Sequence, residues 1–443
     1  MPHKGLKETC FQGFFGIFAL AFALVFSGCS SDKDPLKGER HKLLTEARPL
    51  ELDANAENIN VELDSPVTNT SWTHPSNNAS HLIPHGEFDH HHEILWKESV
   101  GSGSAKDRYL IAQPVVEDDL IFTMDSEGLV RARNTLSGKK MWSFQLPLKG
   151  DTDNCLGGGL AVHQGKLYAS FSSADVFCLD ALNGVLIWHT PVVHPIRSAP
   201  TIKNNRVYVI TKQNSVIALN ALTGERLWNH EGAAEMCSML GGGTVAVDRH
   251  VVIVPYATGE LFALKAENGL PLWGESLNAS HSMSSTSMLA QIKTDPILDK
   301  NLVIVSSQSG RMAAIDFKTG ARIWEKDIAC LSTPVISSSF LFVVTATGDV
   351  LCLTKRTGEV VWQKSLSQYI PAEDAAQTHW VGPLLAGSSL YVTNSAGRVF
   401  ALAPGNGDKL HEFSVPGTIY VAPILVNKIM YFLADQGRLI AVN

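Results

Sequence analysis

One pattern recurs through most of this chain and leaves few folds open. Residues 214–228 read NSVIALNALTGERLW, 259–273 read GELFALKAENGLPLW, 310–324 read GRMAAIDFKTGARIW, and 348–362 read GDVLCLTKRTGEVVW. Residues 128–142 and 174–188 are two more copies, and 397–411 is a seventh with His411 in the Trp place. Residues 437–443, GRLIAVN, begin an eighth copy and stop after one strand. Apolar residues at alternate positions, such as Val216, Ala218 and Trp228, mark period-2 strands. The Asn-Gly, Thr-Gly or Ser-Gly between them supplies a residue tolerant of positive φ for a tight turn. A second strand pair precedes each copy, opened by Pro114, Pro200, Pro296, Pro334, Pro383 or Pro423. Glycine triplets, 157–159 and 241–243, take that place in the second and fourth copies. Four strands every 38–51 residues are the unit of a propeller blade.

The truncated last copy says how the ring closes. Ile94, Leu95 and Trp96 form an orphan Trp strand near the start of the repeats. Joined to 437–443, it completes an eighth blade and removes the free sheet edges. The expected architecture is therefore all-β: an eight-bladed propeller over 93–443 with four antiparallel strands per blade. Its N- and C-terminal strands share one blade. The repeated Trp is expected to wedge between blades as core. Cys178 and Cys352 fall where sibling copies have Ala218 and Ala263, and read as small buried hydrophobes. Cys155, Cys237 and Cys330 belong to blades that are not neighbours, which predicts free thiols and no disulfide framework.

The N-terminus carries targeting information rather than fold information. Lys4 and Lys7 precede an apolar run from Phe11 to Phe26, and Phe26-Ser27-Gly28-Cys29 resembles a bacterial lipobox. This predicts a lipoprotein signal over 1–28 and lipidation of Cys29, against a plain signal peptide or a retained anchor helix. Ser30 after the cysteine favours the outer membrane. Residues 29–92 are expected to be a tether and pre-propeller segment, polar and weakly ordered up to about residue 60. With formal charge -7 and 18% charged residues, no basic stripe exists to neutralise phosphates, so nucleic acid is excluded as a partner.

The ALxxxTGxxxW repeat resembles that of PQQ-like propellers. The lipobox, the eight-blade closure and the stretch 95–103, LWKESVGSG, resemble the BamB family of outer-membrane assembly lipoproteins, in its alphaproteobacterial form. So do 71–81, SWTHPSNNASH, and 309–316, SGRMAAID. The resemblance covers about residues 65–443. It implies a non-enzymatic periplasmic scaffold, lipid-anchored to the outer membrane, that docks on the periplasmic domains of the barrel-forming subunit of the β-barrel assembly machinery. It places the docking loops at 235–241 and 285–295, where Met239 or a neighbour stands in for an expected Arg, and Gln291 and Lys293 for acidic residues.

The residues themselves point to the same loops. The connection after Trp273 is long, and long loops in compact domains are usually functional. Met236, Met239, Met283 and Met288 are four of only nine methionines, accompanied by Leu240 and Leu289. Adaptable Met-rich surface suits protein recognition; the same side chains folded inward would plug the channel mouth instead. The enzyme alternative, a quinoprotein dehydrogenase with PQQ and calcium, needs oxygen ligands and a catalytic carboxylate. Enzymes of that class resemble one another in an adjacent cysteine pair, and no Cys-Cys occurs here. Asp151, Asp153, Glu235 and Asp295 read as scattered surface acids, so no cofactor is expected. A different envelope scaffold is the other alternative. His74, His81, His85, His90, His91 and His92 put six of sixteen histidines within nineteen residues. Without fixed ligand spacing around a core, the tract reads as a solvated loop rather than a metal site. Trp380 and the loop 363–381, with a short helical excursion at 371–375, form a further candidate contact surface.

Overall fold

The computed structural model describes residues 59–147, 157–171, 173–234, 241–277, 291–308, 310–375 and 377–443. Eight four-stranded antiparallel sheets run in sequence order, occupying 115–145, 158–191, 201–231, 246–276, 297–326, 335–365, 380–414 and a closing sheet. The closing sheet takes three strands from 424–442 and its outer strand from Ile94–Ser99. There Ile94 pairs with Val442, Trp96 with Ala441 and Ser99 with Arg438. Both termini of the ring therefore meet in one blade, as the truncated repeat requires. A short helix, Ala372–Ala375, forms where the excursion was expected.

Each blade is the repeat written in three dimensions, and the third shows why. Asn220 ends one strand, and its side-chain oxygen accepts the N–H groups of Leu222 and Thr223 at 2.8 and 3.2 Å. That local acceptor, with Gly224 at positive φ (74°), turns the chain back into the outer strand Arg226–Glu231. Trp228 pairs with Ala218, and the register slips by one residue directly after that pair. The same slip follows Cys178 opposite Trp188 and Cys352 opposite Trp362. Ala or Cys faces the indole in each of these pairs. Cys178, Cys330 and Cys352 are buried free thiols, each with its pKa pushed up to about 12 by burial. Cys155 and Cys237 lie outside the described residues.

Adjacent blades are joined by the same indoles. Trp96, Trp142, Trp188, Trp228, Trp273, Trp324 and Trp362 each donate Nε1–H to a backbone carbonyl in the turn of the next blade, at 2.9–3.1 Å. The ring face packs on that turn's glycine; a Cβ on Gly224 would lie 2.7 Å from Trp188 Cε3. The repeat thus encodes a latch between blades as well as the blade itself.

Six of the eight inner strands have only three residues, and the inner strands carry backbone groups that face the channel with no further strand to pair them. Residues 64–87 supply partners, and they touch every blade. Trp72 exchanges two backbone bonds with Val116 at 2.8 and 2.7 Å; Val162 donates to the Thr73 carbonyl, Val247 to Ala79 and Leu298 to Ser80. Ile202 N–H donates to His74 Nε2 at 3.0 Å. Asp64 bonds Ser337 and Ser338, Gly86 bonds Leu385 and Gly387, and Asn69 bonds Leu425 and Asn427. The segment is therefore a floor across the channel, built from the unpaired inner-edge groups that a propeller otherwise leaves to water.

Candidate functional site

Above that floor lies a cavity of about 760 Å³. Trp72, Pro75, Ser76 and Ile83 form its base, and the entry segments of the blades form its wall. The glycine triplets let backbones approach closely here: a Cβ on Gly159 would lie 2.6 Å from Ala199 Cβ. Between the two triplets sits Arg197, 1% exposed. Its Nη2 donates to the Pro255 carbonyl at 2.6 Å, while Nε and Nη1 find no partner among the described residues. Burial pulls its pKa down to about 10. Burial also lowers the pKa of Lys293, which lines the same cavity.

The described lining does not fit a quinone held with a calcium ion. Asp295 reaches the cavity, but its carboxylate accepts Thr244 N–H at 2.8 Å, Thr244 Oγ1 at 2.7 Å and Ser76 Oγ at 2.6 Å. It is committed to tying the floor to the fourth and fifth blades, with little left for a cation. None of the described cysteines lines the cavity. Asp151, Asp153 and Glu235 lie outside the described residues.

Of the residues singled out for partner binding, two are described. Gln291 is 2% exposed and donates Nε2–H to the Gly241 carbonyl at 3.0 Å. Gly243 N–H donates to the Ile292 carbonyl at 3.3 Å. The C-terminal feet of the two long connections are thus bound to each other, with Gln291 as a tie between them and Lys293 facing the cavity. Met236, Met239, Leu240, Met283, Met288 and Leu289 lie outside the described residues, as does Cys29. Trp380 is largely buried against Phe400, ring centroids 5.5 Å apart, and lines the cavity rather than the outer surface. No helix among the described residues is long and apolar enough to cross a membrane.

The histidine tract is not a solvated loop, and this is the main correction to the sequence reading. His74, His81 and His85 are buried in the floor. His81 Nδ1 faces the Pro296 carbonyl at 2.9 Å and its Nε2 lies 2.9 Å from Thr244 Oγ1. His85 bridges the carbonyls of Asp64 and Gly387 at 2.6 and 2.5 Å. These partners come from distant blades, so composition alone made the tract look polar and free. His90 and His92 leave the floor and meet His411, with one ring nitrogen from each within 4.8 Å of the others. The sequence showed His411 only as a gap in the Trp series.

His74 gives the floor a pH dependence. Its Nε2 accepts the Ile202 N–H, so the ring must be neutral there, and burial, then repulsion from His81, His163 and Lys203, pulls its pKa to about 3 from 6.5. The unfolded chain therefore takes up a proton that the folded chain refuses. The contribution of His74 to stability is fully present above pH 6.5 and is lost as pH falls toward 3. Between about pH 7 and about pH 5 the loss is about 2 kcal/mol. Urea midpoints across that range should fall with pH, and His74→Gln, which keeps an acceptor but does not titrate, should flatten the slope. An equal slope in the variant would assign the dependence elsewhere.

The family model described as "Outer membrane protein assembly factor BamB" matches residues 126–364. An uncharacterized protein of Rickettsia prowazekii is 31% identical over 219 residues, 49% of this chain and 52% of that one. BamB of Yersinia pestis is 26% identical over 243 residues, 54% of this chain and 62% of its own. These matches thus span little more than half the length of either relative. BamB from Moraxella catarrhalis superposes with TM-score 0.68 at 18% identity, over 80% of this chain and 99% of that one. A quinohemoprotein alcohol dehydrogenase from Pseudomonas putida superposes with TM-score 0.64 at 13% identity, over 84% of this chain and 80% of that one. At such identities both superpositions establish the fold alone. The family model covers more than half the chain and both long connections, and the chain belongs to the outer membrane protein assembly factor BamB family of PQQ-repeat β-propellers.

Proposed function

We propose that this protein is a non-enzymatic scaffold of the β-barrel assembly machinery, held by a lipid on Cys29 at the periplasmic face of the outer membrane. It supports insertion of outer-membrane proteins by docking on the periplasmic domains of the barrel-forming subunit. The observation that carries this reading is the family match over 126–364, which includes both Met-rich connections. The bond from Gln291 to Gly241 supports it further, because it sets the feet of the two connections side by side. Met236, Met239, Leu240, Met283, Met288 and Leu289 are the docking side chains in this reading, and Lys293 faces the cavity.

Affinity purification from detergent-solubilised envelopes tests the proposal. The wild-type chain should recover the barrel-forming subunit. A paired Met236→Asp, Met239→Asp variant should reduce that recovery by about tenfold or more, as expected when apolar anchors of an interface are replaced by charge. Recovery of other envelope proteins without that subunit would overturn the assignment in favour of a different scaffold. Dye reduction on adding PQQ and Ca²⁺ would overturn the non-enzymatic reading.

A further inference from the structure

Seven blade junctions are latched by an indole on a turn glycine, and the eighth is built differently. In blade seven His411 stands opposite Ala401, in the register position that Trp holds elsewhere. The neighbouring closing blade has no turn to receive an indole, because that is where the two termini of the ring meet. His92 N–H donates to the Asn443 carbonyl, and Asn443 N–H donates to the Glu93 carbonyl at 3.1 Å. The place of the missing turn is taken by the chain entering the ring, which delivers His90 and His92. Both hold left-handed φ near 60° to do so.

The three rings converge. His92 Nε2 lies 3.2 Å from His411 Nε2, and the ring centroids are 4.6 Å apart. His90 Nδ1 lies 2.6 Å from Tyr391 Oη, and His92 Nε2 lies 3.3 Å from the same oxygen. Gly387 makes room for this arrangement, since a Cβ there would strike His90 Nε2. Hydrogen bonds account for the pairwise contacts, His92 with His411 and His90 with Tyr391, and the convergence of three imidazole nitrogens is the further feature. Two nitrogens bound to one tetrahedral zinc at its usual bond length stand about 3.3 Å apart, which matches the His92–His411 spacing. Imidazole nitrogens without carboxylates select zinc, nickel or copper over calcium or magnesium. All three rings are partly exposed, which leaves an approach for the ion and a coordination place for water.

We propose that His90, His92 and His411 form a binding site for a divalent transition-metal ion of the zinc class, which clamps the entering segment to blade seven at the seam of the ring. Tyr391, itself buried, packs against the rings of His90 and His92 beside the site. The ion takes the structural place that Trp and glycine fill at the other junctions. Because the unfolded chain does not assemble the three ligands, binding stabilises the closed ring.

Zn²⁺ added to the full chain, followed by equilibrium dialysis, should show one tightly held ion. His92→Ala and His411→Ala should each weaken it on the order of 100-fold or more. His91→Ala, an exposed member of the same tract, should leave it unchanged. Co²⁺ should give the visible bands of a tetrahedral site in the wild type and lose them in His411→Ala. A second measurement needs no variant: with Zn²⁺ bound, mass-spectrometric footprinting by imidazole acylation should protect His90, His92 and His411 but not His194. Equal Zn²⁺ affinity in wild type and His411→Ala, or no protection of the three rings, overturns the proposal.

Discussion

Trp72→Ala is expected to lower the unfolding free energy by about 3–5 kcal/mol, the range for deleting a fully buried large aromatic. Trp72 precedes the ring in sequence yet is 1% exposed, at the base of the channel beside Ile83 and Val116. Its backbone pairs with Val116, and its indole donates to Gln113 Oε1 at 3.3 Å, an atom that also accepts the Ser76 N–H at 2.9 Å. Removing the ring therefore leaves a void at the base of the channel and loosens a hydrogen-bonded cluster at the same time. Urea denaturation gives the free energy, and limited proteolysis should show faster cleavage within 59–88. A loss below about 1 kcal/mol, typical of surface changes, would mean the floor is an attachment rather than part of the core.

The second large effect belongs to the latches. Trp228→Ala should cost about 3–5 kcal/mol, whereas Trp228→Phe keeps most of the apolar area and should cost about 1–2 kcal/mol for the lost bond and poorer fit. Trp228 packs on Tyr208 with centroids 5.8 Å apart, and its Nε1 donates to the Ala266 carbonyl at 3.0 Å. Calorimetry of both variants separates packing from hydrogen bonding. Equal losses would place the whole effect in the bond to Ala266.

What could be read from sequence divides along a physical line. The ring was legible because its determinants are local and repeated: Asn220 with Gly224 makes the turn, and Ala218 faces Trp228 ten residues on. The closure was legible because an incomplete repeat needs a partner strand, and Trp96 marks it. The floor was not. His81 is satisfied by Pro296 and Thr244, and His74 by Ile202, partners that no spacing rule links to them. Trp380 failed for a related reason. It stands outside the phase of the repeated Trp, so nothing in the pattern marked it as core. Gln291 was assigned to the docking loops by resemblance, and its role as a tie to Gly241 depends on a contact between two blades. His411 was visible as an exception, but the exception acquires chemical meaning only beside His90 and His92.

The seam also sets an order of events in time. Ile94 cannot find its partner until Val442 has emerged, and the floor cannot settle until every blade exists to receive it. A chain delivered from its N-terminus onward must carry both segments unpaired while the seven intervening blades are made. Contacts of such long sequence separation form slowly, and an unpaired strand invites the wrong neighbour meanwhile. Strand Arg438–Val442 thus acts as a completion check: without it Ile94–Ser99 has no partner and the ring stays open.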